Sequence, residues 1–154
     1  MGTKPTPRQG EKLLHELKLD EKTNGCATPG VKPLAHQVEA ETPLGPSEAT
    51  PFRGHSARAS YLAADRIDIL FSAKEVCRFM SCPTDLANLA LKRMARYLKD
   101  RPRLVWDYPY QRADRLEVYT DTDWAGCVRT RKSTSGGCLM LGGSRHQVLV
   151  GHTS

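Results

Sequence analysis

Five prolines between residues 23 and 51 set the strongest limit on how this chain can fold. They are Pro29, Pro33, Pro43, Pro46 and Pro51. Proline has no amide hydrogen and disfavours the helical conformation in the residue before it, so this spacing is unfavourable for a long helix or strand. We therefore predict an extended or disordered linker, preceded by a short amphipathic helix over residues 11–19, where leucines recur at helical spacing.

Helical patterning resumes near residue 55 and continues to residue 100. The spacing of apolar residues predicts helices over residues 57–64, 68–80 and 84–99. Thr84 is the predicted N-cap of the last helix, because its hydroxyl can accept a hydrogen bond from the first turn. That helix is predicted to bury one apolar stripe, made of Ala87, Leu91, Met94 and Leu98.

After residue 100 the pattern changes from helical to alternating. Short strands are predicted over residues 104–106, 116–120 and 137–141, in the order of an antiparallel meander. The resulting fold class is α+β or α/β, with three segments along the chain. These are residues 1–54 (short helix and linker), residues 55–100 (helical) and residues 101–154 (β-rich).

The composition indicates a basic chain with a limited core. Its 23 Lys and Arg residues outnumber its 17 Asp and Glu residues, and the net charge of +6 favours polyanionic partners. Hydrophobic residues make up 39% of the chain, so we predict a modest core confined to the second half.

The cysteines and the apolar runs indicate in which compartment the protein is expected. Five cysteines without a Cys-x-x-Cys pair argue against a disulfide framework or a zinc site and favour an intracellular protein. No apolar run approaches ~18 residues and the N-terminus is polar, so neither a membrane span nor a secretory signal is predicted.

A stripe of basic residues lies on the last predicted helix. It consists of Lys92, Arg93, Arg96 and Lys99, and Arg101 and Arg103 continue it. Such a row suits contacts to consecutive phosphates of a nucleic acid, which would be sequence-independent and salt-dependent. The alternative is an ordinary solvated helix face. Three nearby aromatic residues either stack on bases or belong to the core: Tyr97, Trp106 and Tyr108.

Two carboxylates, Asp121 and Asp123, follow the predicted middle strand. A turn with three cations comes next, at Arg129, Arg131 and Lys132. Carboxylates beside cations suit a Mg²⁺ and phosphodiester site, because Mg²⁺ prefers hard oxygen ligands and shares its shell with substrate phosphates. The alternative is a polar hairpin turn, since Asp is common in turns for local hydrogen-bonding reasons.

The amino-acid sequence of this region resembles that of a known family. Residues 119–127 read Tyr-Thr-Asp-Thr-Asp-Trp-Ala-Gly-Cys and residues 130–137 read Thr-Arg-Lys-Ser-Thr-Ser-Gly-Gly. Both are similar to the start of the ribonuclease H domain in the Pol polyproteins of copia-type retrotransposons. Residues 57–81 and 91–99 resemble the same polyprotein in the same order, so the colinear resemblance covers most of residues 10–146.

The resemblance implies the last part of a reverse transcriptase, its thumb and connection, joined to the first strands of ribonuclease H. Asp121 matches the first metal-binding aspartate of a two-Mg²⁺ site, and Asp123 is the less certain neighbour. The family's other acidic ligands and its polymerase Asp-Asp pair have no counterpart in this sequence. The resemblance also implies Mg²⁺ as the family's cofactor. Without the other acidic ligands, we expect this chain to hold no Mg²⁺ stably.

Residues 147–154 depart from the family pattern. Back-translated with allowed codons and read one base later, they give Arg-Ser-Trp-Ser-Ala-Thr-Gln, which is similar to the family's run at this point. This predicts a frameshift just after His146, with ordinary divergence as the alternative. The gene sequence beyond that codon decides between them.

Three functions follow from these patterns. The first is a truncated Pol fragment, inactive alone, that binds an RNA/DNA hybrid or template-primer weakly, with the rest of a Pol polyprotein as a further partner. The second is an active Mg²⁺-dependent nuclease that uses Asp121 and Asp123. The third is a small basic interaction module without a nucleic-acid role.

Overall fold

The computed structural model of the chain describes residues 7–19, 22–105, 114–127, 129–141 and 144–152, with residues 7, 8, 141 and 144–152 described by their backbone. The chain divides into two compact units, residues 1–104 and residues 105–154. The regular structure described in the first unit is helical, and that described in the second consists of strands. None of the helices in these ranges combines the length and apolar character needed to cross a bilayer.

Helices make up the regular structure of the first unit, and the last of them starts where it was predicted. Its helices are α1 (Pro7–Glu16), α2 (Ala35–Glu39), α3 (Pro46–Ala63), α4 (Leu70–Cys77) and α5 (Asp85–Asp100), with a 3-10 turn at Ile67–Ile69 before α4. The Thr84 hydroxyl accepts a hydrogen bond from the Ala87 amide at 3.2 Å, as expected for the N-cap of α5. The predicted stripe of α5 is buried throughout.

The linker prediction was wrong at its C-terminal end. Helix α3 begins at Pro46 and continues through Pro51, well before residue 57. Proline is favourable in the first turn of a helix, where its missing amide hydrogen would have no partner, and Pro51 costs one hydrogen bond without ending the helix. The position of each proline therefore mattered more than their number.

The segment before α3 is also not a disordered tether. Its residues 41–44 pair with the start of α5: the Leu44 amide donates to the Pro83 carbonyl at 2.9 Å, and the Asp85 amide donates to the Thr42 carbonyl at 3.0 Å. The Thr42 amide and hydroxyl donate to the Asp85 carboxylate at 3.1 and 2.9 Å. These bonds fasten the segment to the helical unit.

One hydrophobic core holds the first unit together. It contains Leu13, Phe52, Ala59, Leu62, Ala63, Ile69, Ala73, Val76, Ala87, Leu91, Met94, Ala95, Tyr97 and Leu98. The prediction of a core confined to the second half of the chain was wrong, because most of these residues precede it. Low average hydrophobicity did not prevent a core, since each amphipathic helix concentrates its apolar residues on one side.

A buried polar network joins the turn before α4 to α5. The Arg66 guanidinium donates to both carboxylate oxygens of Asp68, at 2.9 and 2.7 Å, and the Tyr97 hydroxyl donates to the same carboxylate at 2.8 Å. Arg66 is only 4% exposed. Burial alone would raise the pKa of Asp68, but the hydrogen bonds from Arg66 and Tyr97 and the Arg66 charge outweigh it, so this pKa lies below its usual value.

The second unit contains a three-stranded antiparallel meander. Strands β1 (Leu116–Asp123), β2 (Thr134–Leu141) and β3 (Ser144–His152) lie in that order, with Val118 opposite Leu139 and Thr134 opposite His152. An α+β fold with an antiparallel sheet is thus confirmed. The set of strands differs, because residues 104 and 105 have no regular structure, residue 106 lies outside the described residues, and β3 was not predicted.

Candidate nucleic-acid interface and strand carboxylates

The basic stripe lies on α5 away from its buried side. The helical repeat of 3.6 residues places Lys92, Arg93, Arg96 and Lys99 on one side. The fully buried Leu91 and Met94 lie on the other. Lys92 is exposed, whereas Arg93, Arg96 and Lys99 are partly buried.

What covers these side chains is an irregular segment, residues 23–28, which we call the strap. Four cationic groups on or just after α5 donate hydrogen bonds to it. These are Arg93 Nη2 to Thr28 Oγ1 (3.0 Å), Arg96 Nε to the Asn24 carbonyl (2.5 Å), Lys99 Nζ to the Thr23 carbonyl (2.7 Å) and Arg101 Nη1 to the Ala27 carbonyl (3.0 Å). The stripe is therefore not merely a solvated face, and its contact with nucleic acid stays a prediction.

Hydrogen bonds to the strap do not neutralise the cations of α5. Its acceptors are carbonyl and hydroxyl oxygens, which are neutral. Within the described residues, no ion pair joins Arg93, Arg96 or Arg101 to a carboxylate. Among the described residues, the buried Arg93 Nε also has no hydrogen-bond partner. A charged, multidentate acceptor such as a phosphate would therefore bind Arg93 and Arg96 more strongly than these neutral oxygens do.

One carboxylate approaches the strap from the end of α5. A Cβ atom on Gly25 would stand 1.6 Å from Oδ2 of Asp100. Only glycine therefore fits at this point of the strap without moving the Asp100 side chain.

Tyr97 has a structural role rather than one in base stacking. Tyr97 is 7% exposed, belongs to the core, and carries the Arg101 guanidinium over its ring at 5.1 Å from the centroid. Of the two interpretations left open for Tyr97, the core position is the correct one. Trp106 and Tyr108 lie outside the described residues.

The second cationic group lies on the turn between β1 and β2. The Arg131 amide donates to the Cys127 carbonyl at 2.9 Å, the Cys127 amide donates to the Lys132 carbonyl at 3.2 Å, and the side chains of Arg129, Arg131 and Lys132 are exposed. Ala125 and Arg131 adopt the left-handed conformation, with φ of 50° and 55°. The turn is a polar hairpin connection that presents its cations to solvent.

The two strand carboxylates differ in their surroundings. Asp121 is exposed on β1 opposite Gly136. The Asp123 carboxylate lies against the turn, so close that a Cβ atom on Gly126 would stand 1.7 Å from Oδ2. Asp123 is therefore placed to support the local turn, as Asp commonly does.

These residues do not fit a two-Mg²⁺ centre. Two hard cations need several oxygen ligands from converging side chains. In the part of the chain that the structure describes, no three side chains of His, Cys, Asp or Glu come together in a way that could hold a metal ion.

The structure adds residues that the sequence did not point to. The strap was not predicted as part of the α5 face, and no local pattern links residue 24 to residue 96. Arg101 was expected to continue the stripe, and it contacts the same strap. The α5 face belongs to the first unit, and the Arg129, Arg131 and Lys132 turn belongs to the second.

Comparison with known proteins finds relatives among retrotransposon proteins. The chain is 33% identical over 113 residues to the retrovirus-related Pol polyprotein from transposon RE1 of Arabidopsis thaliana, which covers 66% of the chain. It is 31% identical over 131 residues, 83% of the chain, to that from transposon RE2 of the same plant. An uncharacterised mitochondrial protein of Arabidopsis thaliana is 35% identical over 97 residues, 62% of the chain.

The match covers a limited part of these relatives. The chain spans 40% of the mitochondrial protein and 8% and 9% of the RE1 and RE2 polyproteins. No family model matches it, and no solved structure matches it significantly. Relatives of this kind, colinear with most of the chain, establish that it belongs to the Pol polyproteins of copia-type retrotransposons.

Proposed function

We propose that the chain is a nucleic-acid-binding segment of a copia-type Pol, running from the thumb and connection of reverse transcriptase into the first strands of ribonuclease H. Its ligand is an RNA/DNA hybrid or a template-primer, bound weakly and without sequence preference. One observation carries the proposal: Arg93 and Arg96 project from one side of α5 and bind only neutral acceptors in the described structure. Such a face attracts phosphates.

The division of the proposal between the two enzymes rests on the resemblance of particular segments. Residues 57–81 and 91–99 support the reverse transcriptase part, and residues 119–137 support the ribonuclease H part. An antiparallel meander that carries Asp121 on β1 is compatible with the latter. Mg²⁺, the family's cofactor, has no fitting centre among the described residues.

Binding should depend on the stripe. We expect the triple variant Lys92→Gln, Arg96→Gln, Lys99→Gln to bind an RNA/DNA hybrid more weakly. The slope of log K against log salt should flatten by about one unit for each phosphate that the variant no longer neutralises. Fluorescence anisotropy across a salt series measures both the affinity and the slope.

The matched control carries the same loss of charge away from α5. Lys12→Gln, Lys18→Gln, Lys32→Gln removes three exposed lysines from other parts of the first unit. It should change the slope far less than the α5 variant. Equal slopes for the two triple variants would mean that only the net charge of the chain attracts the hybrid.

Catalysis by this chain alone is not expected. Asp121 lacks converging acidic partners among the described residues, so we expect no cleavage of an RNA/DNA hybrid in Mg²⁺ or Mn²⁺ above that of Asp121→Asn. Gel analysis of a labelled hybrid tests this. Cleavage that disappears in Asp121→Asn would instead support the nuclease interpretation.

A further inference from the structure

Cationic side chains of the α5 face, to which the proposed function assigns phosphates, hold the strap together with the packing of Cys26 against the core. The strap's carbonyl and hydroxyl oxygens accept hydrogen bonds from Arg93, Arg96, Lys99 and Arg101. Among the described residues, 24–28 make no backbone–backbone hydrogen bond with the rest of the chain. A segment of this kind opens more easily than a helix or strand, since few bonds must break.

We infer that the strap is a displaceable occupant of the α5 face, and that a polyanion binds there by replacing the strap's oxygens. The inference rests on the proposed function, because it assigns the same cations to phosphate. A phosphate oxygen adds the attraction of opposite charges to the hydrogen bond and can accept two bonds from one guanidinium, neither of which a neutral carbonyl provides in the same way. The released carbonyls bond to water, so the exchange favours the charged ligand.

The contacts on the C-terminal side of the strap keep this opening local. Gly30 lies against Ser72, where a Cβ atom would stand 2.6 Å from Oγ. Farther on, Leu44 pairs with Pro83 at the start of α5. Neither contact involves a cation of the stripe, so both can persist while residues 23–28 move away.

The closed strap lowers the affinity of the face for a ligand. A ligand that binds only the open form has an apparent affinity reduced by the fraction of molecules that are open. The strap thereby makes the α5 face a regulated site, one that ignores weak anions and yields to an array of phosphates.

Cys26 provides a native reporter of strap opening. It is partly buried and packs against the hydrophobic core, whereas Cys82 is exposed. Pulsed alkylation of the full chain, followed by peptide mass spectrometry, gives the rate for each thiol. With a saturating RNA/DNA hybrid, we expect Cys26 to react about tenfold faster, with Cys82 unchanged.

A strap variant tests the same inference through affinity. Gly25→Ala puts a methyl group where the Asp100 carboxylate lies, so the strap or the Asp100 side chain must shift. A shift of the strap loosens it, and hybrid binding should then become severalfold tighter than in Asp100→Ala, which reports the effect of losing the carboxylate alone. Gly54→Ala is the control, because a Cβ atom there meets nothing within 4 Å. A role of the strap in stability alone predicts unchanged or weaker binding for Gly25→Ala.

The outcomes separate the inference from the proposed function. If the hybrid binds while Cys26 stays protected and Gly25→Ala gives no gain in affinity, strap displacement is wrong and nucleic-acid binding stands. If the hybrid does not bind at any salt concentration, both fail.

Discussion

Replacing Asp68 by alanine is expected to destabilise the helical unit by about 3–5 kcal/mol. The substitution leaves the guanidinium of Arg66, a residue only 4% exposed, without its carboxylate partner in a buried site. Tyr97 also loses the acceptor of its hydroxyl. Urea unfolding of the full chain, followed by the helical circular dichroism signal, measures the change in the free energy of unfolding.

Two control variants isolate the buried charge. Tyr97→Phe removes one hydrogen bond but keeps the Arg66–Asp68 pair, so it should cost about 1 kcal/mol. Asp65→Ala removes an exposed carboxylate a few residues away and should have little effect. If Asp68→Ala lowers the free energy of unfolding no more than Tyr97→Phe does, the Arg66 guanidinium has found another partner or water.

The same network predicts the acid limit of stability. The pKa of Asp68 in the folded chain lies below its ordinary value of 3.8. The ionised carboxylate therefore contributes stability above that pH, and this contribution disappears as the pH falls through the lower folded value. Asp68→Ala should lack this part of the acid transition, which urea titrations between neutral and acidic pH can detect.

The second large effect is expected at the N-terminal helix. Leu13→Ala should cost about 2–5 kcal/mol, because Leu13 is completely buried and its removal leaves a cavity in the core. Lys12→Ala is the matched control, since Lys12 is exposed on the same helix. Chemical denaturation of both variants gives the comparison. Equal stabilities would mean that α1 does not dock on the helical unit in solution.

Burial of Leu13, rather than the ion pair of Glu16, should account for most of the free energy with which α1 packs on the first unit. Glu16 at the end of α1 pairs with Arg58 and lies 3.3 Å from His55 Nε2 on α3. The side chain of Glu16 is 40% exposed, and exposed ion pairs contribute little to stability. The apolar contact of Leu13 is therefore the main reason why α1 belongs to the first unit.

Local patterns were sufficient for α5 and insufficient for α3. In α5, the Thr84 cap and the repeated apolar residues agree, so the helix, its start and its buried stripe could be predicted. In α3, the prolines were counted as breakers. Their effect depends on whether each one falls inside a helix or on its first turn, and packing of Phe52 into the core favours the longer helix.

The sequence by itself determined the family, the α+β class, the buried face of α5 and the identity of the cationic residues. Only the tertiary structure decided what those cations bind. Arg96 contacts residue 24 and Lys99 contacts residue 23, more than seventy positions away. Helical periodicity extends over a few turns and carries no information about such partners. The oxygens of the strap are mostly backbone carbonyls, which every residue has, so no side-chain pattern could have marked them.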